Sequence, residues 1–409
     1  MPVLQAISPA AFVSALPPGL RLFIAGCAGE PVALLEAMGT LPDATLISVP
    51  IPGVNRRDLS AIAPVEAAFM TPELRPGLAA GRVRFLPLHY SEAFAWLGGP
   101  ARADMAMFRC APPRGCSVSL ALAHDFIPAL AAAGAALVAV VDPALPDVPD
   151  GVRLPLDRLH SLVDGPSANP QLPLEAPGAA LSALARHAAG LVRDGDTVQA
   201  GIGTAAAAVL GALRTHRRLR FHAGMISDAV PELLDAGALE QVTTGTALGT
   251  QALYDRMGRE ARIAFRPVSE THDGARIAAI PGFVAINAAV EVDLLGQANS
   301  EMIEGRQISG HGGVADFVRG ARRAKDGRAV TALLSSGRGG RVSRIVPRLS
   351  AGTPVAITRA DIDVVVTEHG VAELRHADID QRAQRLIAIA APEHRDALAN
   401  QWDVLRRAM

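Results

Sequence analysis

Lysine is almost absent from this chain. Lys325 is the only lysine among the 409 residues, and the other basic side chains are arginine and histidine. A phosphate-binding P-loop and a pyridoxal phosphate enzyme each depend on a lysine at the ligand. Lys325 lies in the polar segment ARRAKDGRA, a context that suits neither, so the sequence argues against both classes.

Cysteine, net charge and long apolar runs are also scarce. The three cysteines, Cys27, Cys110 and Cys116, form no Cys-x-x-Cys pair, so we predict neither a disulfide framework nor a metal site and expect small core residues. A formal charge of −1 gives no support for a nucleic-acid partner. No apolar run reaches the roughly 18 residues of a membrane span, and the N-terminus lacks the basic start of a signal peptide. We therefore expect a cytoplasmic protein with no membrane partner.

The length and the apolar content favour two α/β domains. Half of the residues are hydrophobic and 19% are charged, which is typical of buried parallel strands. We place the domains at 1–178 and 179–409, with a linker region rich in proline, aspartate and glycine at 142–178. The strand candidates of the first domain are Leu22–Ala25, Thr45–Val49, Arg82–Pro87, Met105–Arg109 and Ala136–Val141. Helical stretches separate them, which predicts an open, mostly parallel sheet.

The second domain begins with the predicted helix Ala179–Arg193 and then repeats the start of the first. GDTVQAGIGTAAAAVLGAL and GLRLFIAGCAGEPVALLEAM share an apolar strand, a glycine turn and a helix, which indicates two similar domains. Gly201-Ile202-Gly203 precedes Thr204 and a helix, so these residues are candidates to bind an anion. The turn lacks the third glycine and the downstream acid of a dinucleotide site, and we do not predict NAD.

A second glycine turn follows an apolar stretch near position 290. From Phe283 to Leu295 the alternation predicts one strand, with Glu291 and Asp293 pointing away from the core. Gly310-His311-Gly312-Gly313 then allows a close backbone approach, and its free N–H groups could form an oxyanion hole. An ordinary tight turn is the alternative.

Several long motifs in register connect the chain to a known family. VAINAAVEVDLLGQANSE, ISGHGGVADFVRGA, VSRIVPRLSAGTPVAITR, DVVVTEHGVAEL and RAQRLIAIAAPEHRDAL occur in this order. They resemble the acetyl-CoA hydrolase/transferase family, which includes 4-hydroxybutyrate and succinyl-CoA:acetate CoA-transferases. The resemblance implies two tandem α/β domains with the active site between them, a homodimer, and transfer of CoA between an acyl-CoA and a small carboxylic acid through an enzyme carboxylate. The CoA thioester is then the substrate, and no separate cofactor is expected.

The resemblance also shows a departure at the nucleophile. The family carries His-Ser-Glu-Met or Thr-Glu-Val where this chain has Phe221-His222-Ala223-Gly224-Met225, so the catalytic glutamate falls on Gly224. A glycine cannot form an enzyme-bound thioester. We predict Glu270 as the substitute, because it follows a strand candidate and stands among reactive side chains in VSETHD. Glu291 and Glu301 are more typical of structural support.

Further contacts to CoA are predicted after position 330. Ser335, Ser336 and Arg344 are candidates for the pantetheine or the phosphates, with ordinary loop residues as the alternative. The family resemblance assigns the Gly201–Gly203 turn to CoA. His311 could be a donor in its turn, and His369 has a packing or CoA-lining role. Two other functions stay open: acyl-CoA hydrolysis, with water attacking a thioester held by the Gly310–Gly313 turn, and CoA binding without turnover.

Overall fold

Two parallel sheets, each flanked by helices, form the computed structural model, which describes residues 5–173 and 175–409. The strands of the first unit are β1 (Arg21–Ile24), β2 (Thr45–Ser48), β3 (Val65–Ala67), β4 (Val83–Phe85), β5 (Met105–Cys110), β6 (Ser117–Ser119), β7 (Ala136–Val141), β8 (Arg153–Pro155) and β9 (Leu159–Asp164). Its helices are α1 (Pro9–Ser14), α2 (Val32–Ala37), α3 (Arg75–Ala79), α4 (Tyr90–Leu97) and α5 (Ile127–Ala132).

The second unit contains most of the short strands. Its strands are β10 (Thr197–Ala200), β11 (Leu219–His222), β12 (Met225–Ile226), β13 (Leu239–Thr244), β14 (Thr246–Ala247), β15 (Ile263–Phe265), β16 (Phe283–Ala288), β17 (Glu291–Asp293), β18 (Ala298–Asn299), β19 (Met302–Ile303), β20 (Arg306–Gln307), β21 (Arg328–Ala332), β22 (Ser336–Gly337), β23 (Val342–Ser343), β24 (Ile345–Val346), β25 (Val364–Thr367) and β26 (Gly370–Glu373). Its helices are α6 (Ala179–Ala189), α7 (Thr204–Ala212), α8 (Ala229–Asp235), α9 (Gln251–Met257), α10 (Val268–Thr271), α11 (Gly274–Ala278), α12 (Val314–Arg323), α13 (Ile379–Ala388) and α14 (Arg395–Arg407).

Both sheets have the same winding. The first has the order β4-β3-β2-β1-β5-β7-β9, and the second has the order β15-β13-β11-β10-β16-β21-β25-β26. Each chain segment starts in the middle of its sheet, winds to one edge and returns to the middle to wind the other way. Only β26 runs antiparallel to its neighbour in these two sheets, within the described residues. The two sheets are therefore open, mostly parallel α/β sheets with a change of direction at β1/β5 and at β10/β16.

Burial explains why these segments become central strands. β7 has the sequence ALVAVV, and five of its six residues are buried, because helices cover both faces of a parallel sheet. The largest apolar cluster joins the two units, since Ile51, Leu122 and Leu145 pack with residues of β10, α7 and β13. Backbone hydrogen bonds add to this contact: the His124 N–H donates to the Gly245 carbonyl at 2.9 Å, and the Ala247 N–H donates to the Leu122 carbonyl at 2.9 Å.

Three sequence-based expectations require correction. The stretch 283–295 is two strands, because β16 ends at Ala288 and β17 belongs to a small separate sheet. Asp293 does not point to solvent: it is fully buried and its carboxylate accepts hydrogen bonds from the Leu295 N–H and the Gln297 side chain. The region 142–178, predicted as a linker with room for one short strand, contains the two strands β8 and β9, and β9 pairs with β7 in the first sheet.

Two smaller observations complete the fold. Cys27 and Cys110 are buried, as expected, whereas Cys116 is exposed, which corrects its assignment to the core. Among residues 5–173 and 175–409, no helix has the length and apolar character that crossing a membrane requires.

Candidate functional site

A cavity of about 370 Å³ lies at the direction change of the second sheet. Ligands of open α/β sheets bind outside the carboxyl ends of the strands at this kind of position. The lining residues come from both units: Ile51, Pro52, Phe69, Tyr90, Gln199, Ala200, Gly201, Ile202, Gly224, Met225, His272, Asn287, Ala288, Ser300, Ser309, Gly310, His311, Gly312, Gly313, Val314 and Phe317. The two glycine turns singled out from the sequence thus meet at one cavity between the units.

The first glycine turn connects β10 to α7. Gly201 and Ile202 line the cavity, and a methyl group on Gly201 would meet no atom within 4 Å. Gly203 has φ +97°, a conformation that favours glycine, and it precedes Thr204, the first residue of α7. The backbone of this turn therefore lines the cavity, and the N-terminus of α7 follows directly after the turn.

The second glycine turn is pressed against the first unit. A methyl group on Gly310 would lie 2.5 Å from the Ala68 carbonyl oxygen, and one on Gly312 would lie 3.2 Å from the Phe69 ring. The Tyr90 N–H donates to the Gly312 carbonyl at 3.1 Å. These glycines are required because the loop packs directly on residues of the other unit, and Gly310, Gly312 and Gly313 all line the cavity.

His311 of this turn is paired with a buried carboxylate. Its Nδ1 lies 3.0 Å from Glu301 Oε1, and Glu301 is only 5% exposed. The Gln307 side chain donates to the other oxygen, Oε2, at 3.1 Å. Sequence reasoning gave Glu301 a supporting role, but the partner it supports became visible only in the structure.

His272 occupies the space beside Gly224. A methyl group on Gly224 would lie 2.6 Å from His272 Cε1, and one on Gly313 would lie 2.4 Å from His272 Cδ2. The ring is 2% exposed, its Nδ1 lies 2.9 Å from the Thr271 hydroxyl, and burial lowers its pKa to about 3. A neutral imidazole therefore fills the position where the family resemblance places the start of a glutamate side chain.

Glu270 lies outside this cavity, contrary to the expectation that it projects into a cleft. It belongs to the one-turn helix α10, its side chain is 35% exposed, and it forms an ion pair with Arg276 at 3.0 Å. The strand β15 that precedes this segment was predicted correctly, but α10, which contains Glu270, turns the carboxylate toward solvent. No aspartate or glutamate is among the lining residues in the described part of the chain.

The candidates after position 330 separate into two groups. Arg344 and Ser336 line a groove of about 490 Å³, together with Thr204 from the first glycine turn. Ala288 lines both this groove and the cavity, so the two spaces adjoin. Ser335 is not available to a ligand, because both its N–H and its hydroxyl donate to the Glu368 carboxylate at 2.8 Å. The geometry thus favours Arg344 over Ser335 as a contact to CoA, and both assignments stay predictions.

Several lining residues had no signal in the sequence. Phe69 and Tyr90 come from the first unit, more than a hundred residues before the lining residues of the second unit, and ordinary apolar positions gave no reason to select them. Ser300 is a further case: its hydroxyl is buried and has no hydrogen-bond partner among the described residues.

Comparisons with known proteins agree with this architecture. Residues 249–402 match the acetyl-CoA hydrolase/transferase C-terminal domain. The 4-hydroxybutyrate coenzyme A transferase of Clostridium kluyveri is 30% identical over 404 residues, which cover 93% of each chain. The succinyl-CoA:cyclohexane-1-carboxylate CoA transferase of Geobacter metallireducens is 33% identical over 350 residues, 82% of this chain and 79% of that protein.

A solved structure extends the likeness to the whole fold. The crystal structure of RipA from Yersinia pestis has a TM-score of 0.91 to this protein at 26% identity, over 98% of both chains. Relatives that span nearly the whole chain, together with the matched domain, establish the relationship. The protein is therefore a member of the acetyl-CoA hydrolase/transferase family of enzymes.

Proposed function

We propose that this protein transfers CoA between an acyl-CoA and a small carboxylic acid in the cavity between its two units. The observation that carries the proposal is the meeting of the Gly201–Gly203 and Gly310–Gly313 turns at the direction change of the second sheet. Two relatives that cover most of the chain are CoA transferases by name. The thioester is the substrate in this proposal, and no separate cofactor is invoked.

The groove beside the cavity suits the rest of the CoA molecule. The pantetheine arm is narrow and the adenosine end carries phosphates, so a channel with a cation along it is the required shape. The groove of about 490 Å³ reaches the cavity at Ala288 and holds Arg344 and Thr204. We assign the binding of CoA to Gly201, Ile202, Gly203, Thr204, Gly310, Gly312, Gly313 and Arg344.

The proposal requires a carboxylate of the enzyme at the cavity. Transfer through an enzyme-bound thioester needs a carboxylate that reaches the substrate. Among the three glutamates considered from the sequence, only Glu301 hydrogen-bonds a lining residue, His311. Glu270 binds Arg276, and Glu291 accepts from the Asn299 amide at 3.0 Å.

Hydrolysis of the acyl-CoA is the second candidate. The specific observation in its favour is the cavity lining, which contains two histidines and two serines but no carboxylate within the described ranges. Water would then replace the second acid as the acceptor. A thioester carbonyl beside the Gly310–Gly313 backbone would still have N–H donors for the oxyanion.

One experiment separates these functions from simple binding. The purified protein is incubated with acetyl-CoA, with and without a second carboxylic acid such as butyrate, and the CoA species are resolved by chromatography. Transfer gives a new acyl-CoA only when the acid is present, hydrolysis gives free CoA without it, and a binding protein gives neither. Intact mass after acetyl-CoA treatment then shows whether a covalent enzyme–CoA species forms, and peptide digestion locates it.

We further propose a cytoplasmic homodimer, with the family resemblance as the support. Sedimentation should show a species near twice the chain mass of 42.4 kDa. A single species at the chain mass over a wide concentration range would exclude the dimer.

A further inference from the structure

The strongest unassigned chemistry in the molecule is the pair formed by His311 and Glu301. A carboxylate can only accept a hydrogen bond, so the 3.0 Å contact to Glu301 Oε1 places the proton of the neutral imidazole on Nδ1. The other ring nitrogen, Nε2, then carries a lone pair. Nε2 is buried and has no hydrogen-bond partner among the described residues, although the residue lines the cavity.

The loop around His311 is held on both sides. The neighbouring Gly312 accepts a hydrogen bond from the Tyr90 N–H at 3.1 Å. The His89 ring lies 4.2 Å from the His311 ring, centre to centre, at 61° between their planes. Glu301 is itself fixed by Gln307. The imidazole therefore cannot swing freely, and its unpaired nitrogen keeps one direction.

A second unpaired group lies in the same cavity. The Ser300 hydroxyl is buried without a hydrogen-bond partner in the described part of the chain, and Ser300 is adjacent to Glu301 in the sequence. An unpaired buried polar group is destabilising, because it has lost its hydrogen bonds to water without gaining others. A polar ligand at the cavity, such as a water molecule or a substrate oxygen, would offer both groups a hydrogen-bond partner.

We propose that His311, oriented by Glu301, is a general base that activates water for hydrolysis of an acyl-CoA thioester. His311 Nε2 takes one proton from water while the water oxygen forms a bond to the thioester carbonyl carbon. The tetrahedral intermediate then breaks its carbon–sulfur bond, and the proton on Nε2 passes to the departing CoA sulfur. The products are the free acid and CoA, and no other reactant is consumed. This rests on the proposed function in that the cavity must hold an acyl-CoA.

His311 suits this role better than the other lining histidine. His272 bonds a hydroxyl at Nδ1 instead of a carboxylate, and burial makes it a weak base. Glu301 from its own segment bonds the His311 ring, His89 from the start of α4 packs against it, and Asp316 from α12 interacts with it electrostatically. Burial raises the pKa of Asp316 to about 6, and its carboxylate accepts from the Ser91 hydroxyl at 2.6 Å.

The test is thiol release from acetyl-CoA without any acceptor acid. We expect the parent to release CoA and His311→Gln to lower kcat by about 10²–10⁴-fold, the range for a general base, with little change in KM. Glu301→Gln should lower kcat less and shift the pH–rate profile, because it positions the base without touching the substrate. His160→Gln is the matched control, since His160 is exposed in β9 and, among the described residues, its ring bonds only Ser161.

A second measurement uses the parent alone, in case a variant fails to fold. Its rate of thiol release should decline as the pH falls, because a protonated imidazole cannot accept the proton of water. Thiol release that is unchanged in a folded His311→Gln, or that has no acid limb in the parent, would overturn the proposal. A parent that transfers CoA to acids but releases no thiol without them would also overturn it while leaving the proposed function intact. A parent that does not bind acetyl-CoA would overturn both.

Discussion

The contact between Gly224 and His272 predicts that even one methyl group at position 224 is destabilising. In Gly224→Ala the new Cβ would lie 2.6 Å from Cε1 and 2.9 Å from Nε2 of the ring. Ordinary contact begins near 3.4 Å, so the ring would have to move by roughly 0.8 Å. The φ angle of Gly224 is not in the left-handed region, so the cost comes from the ring and not from the backbone.

The ring has no room for that displacement. Gly313 also packs against it, near Cδ2 and Nε2, and the rings of Tyr90 and Phe317 lie 5.1 Å and 4.7 Å from it, centre to centre. Overpacking of a tight core costs about 1–3 kcal/mol, and loss of the hydrogen bond to Thr271 would add about 1 kcal/mol. We therefore expect Gly224→Ala to lower the free energy of unfolding by about 2–4 kcal/mol.

Urea unfolding measures this change, and two variants serve as controls. Gly201→Ala places a methyl group in the same cavity where no atom lies within 4 Å, so its effect should stay within about 0.5 kcal/mol. In a His272→Ala background the second change, Gly224→Ala, should cost almost nothing, which gives a large coupling energy in the double-mutant cycle. If Gly224→Ala unfolds at the same urea concentration as the parent, or if the two changes are additive, the packing argument is wrong.

Three further predictions concern the ligand, the displaced carboxylate and the response to acid. Gly201→Val should weaken CoA binding measured by calorimetry, because its side chain fills empty cavity space, and unchanged affinity would remove this turn from the site. Glu270→Gln should transfer CoA at close to the parent rate because its carboxylate faces solvent, whereas a loss of several orders of magnitude would re-establish it as the nucleophile. The stability from neutral His272 is fully present above its unfolded pKa of 6.5 and is lost as the pH falls toward about 3. His272→Gln should therefore show a flatter dependence of the unfolding free energy on pH between these two values. Equal slopes in the parent and the variant would contradict a buried, neutral ring.

The contact between Gly224 and His272 also affects the variant that restores a glutamate at position 224. Gly224→Glu alone would force its side chain into the His272 ring, so failure to gain activity would not be informative about the chemistry. The combination of Gly224→Glu with His272→Ala provides the space. Transfer that appears only in the combined variant would show that the cavity is otherwise equipped for CoA transfer.

The sequence by itself determined the class of fold, the two glycine turns and the family. Strong apolar runs such as β7 and glycines before helices are local signals, because a buried parallel strand and a tight turn each restrict the residues at their own positions. Long motifs in register identified the relationship without any knowledge of contacts. The absence of a glutamate at position 224 was also visible at this level.

Only the tertiary structure decided which side chains face the cavity. Glu270 and His272 are two residues apart, yet one pairs with Arg276 at the surface and the other is buried against Gly224. A helix of four residues separates these outcomes, and sequence periodicity cannot resolve so short an element. The pairing of His311 with Glu301 and the closure of the cavity by Tyr90 depend on how segments distant in the chain pack together, which no local pattern encodes.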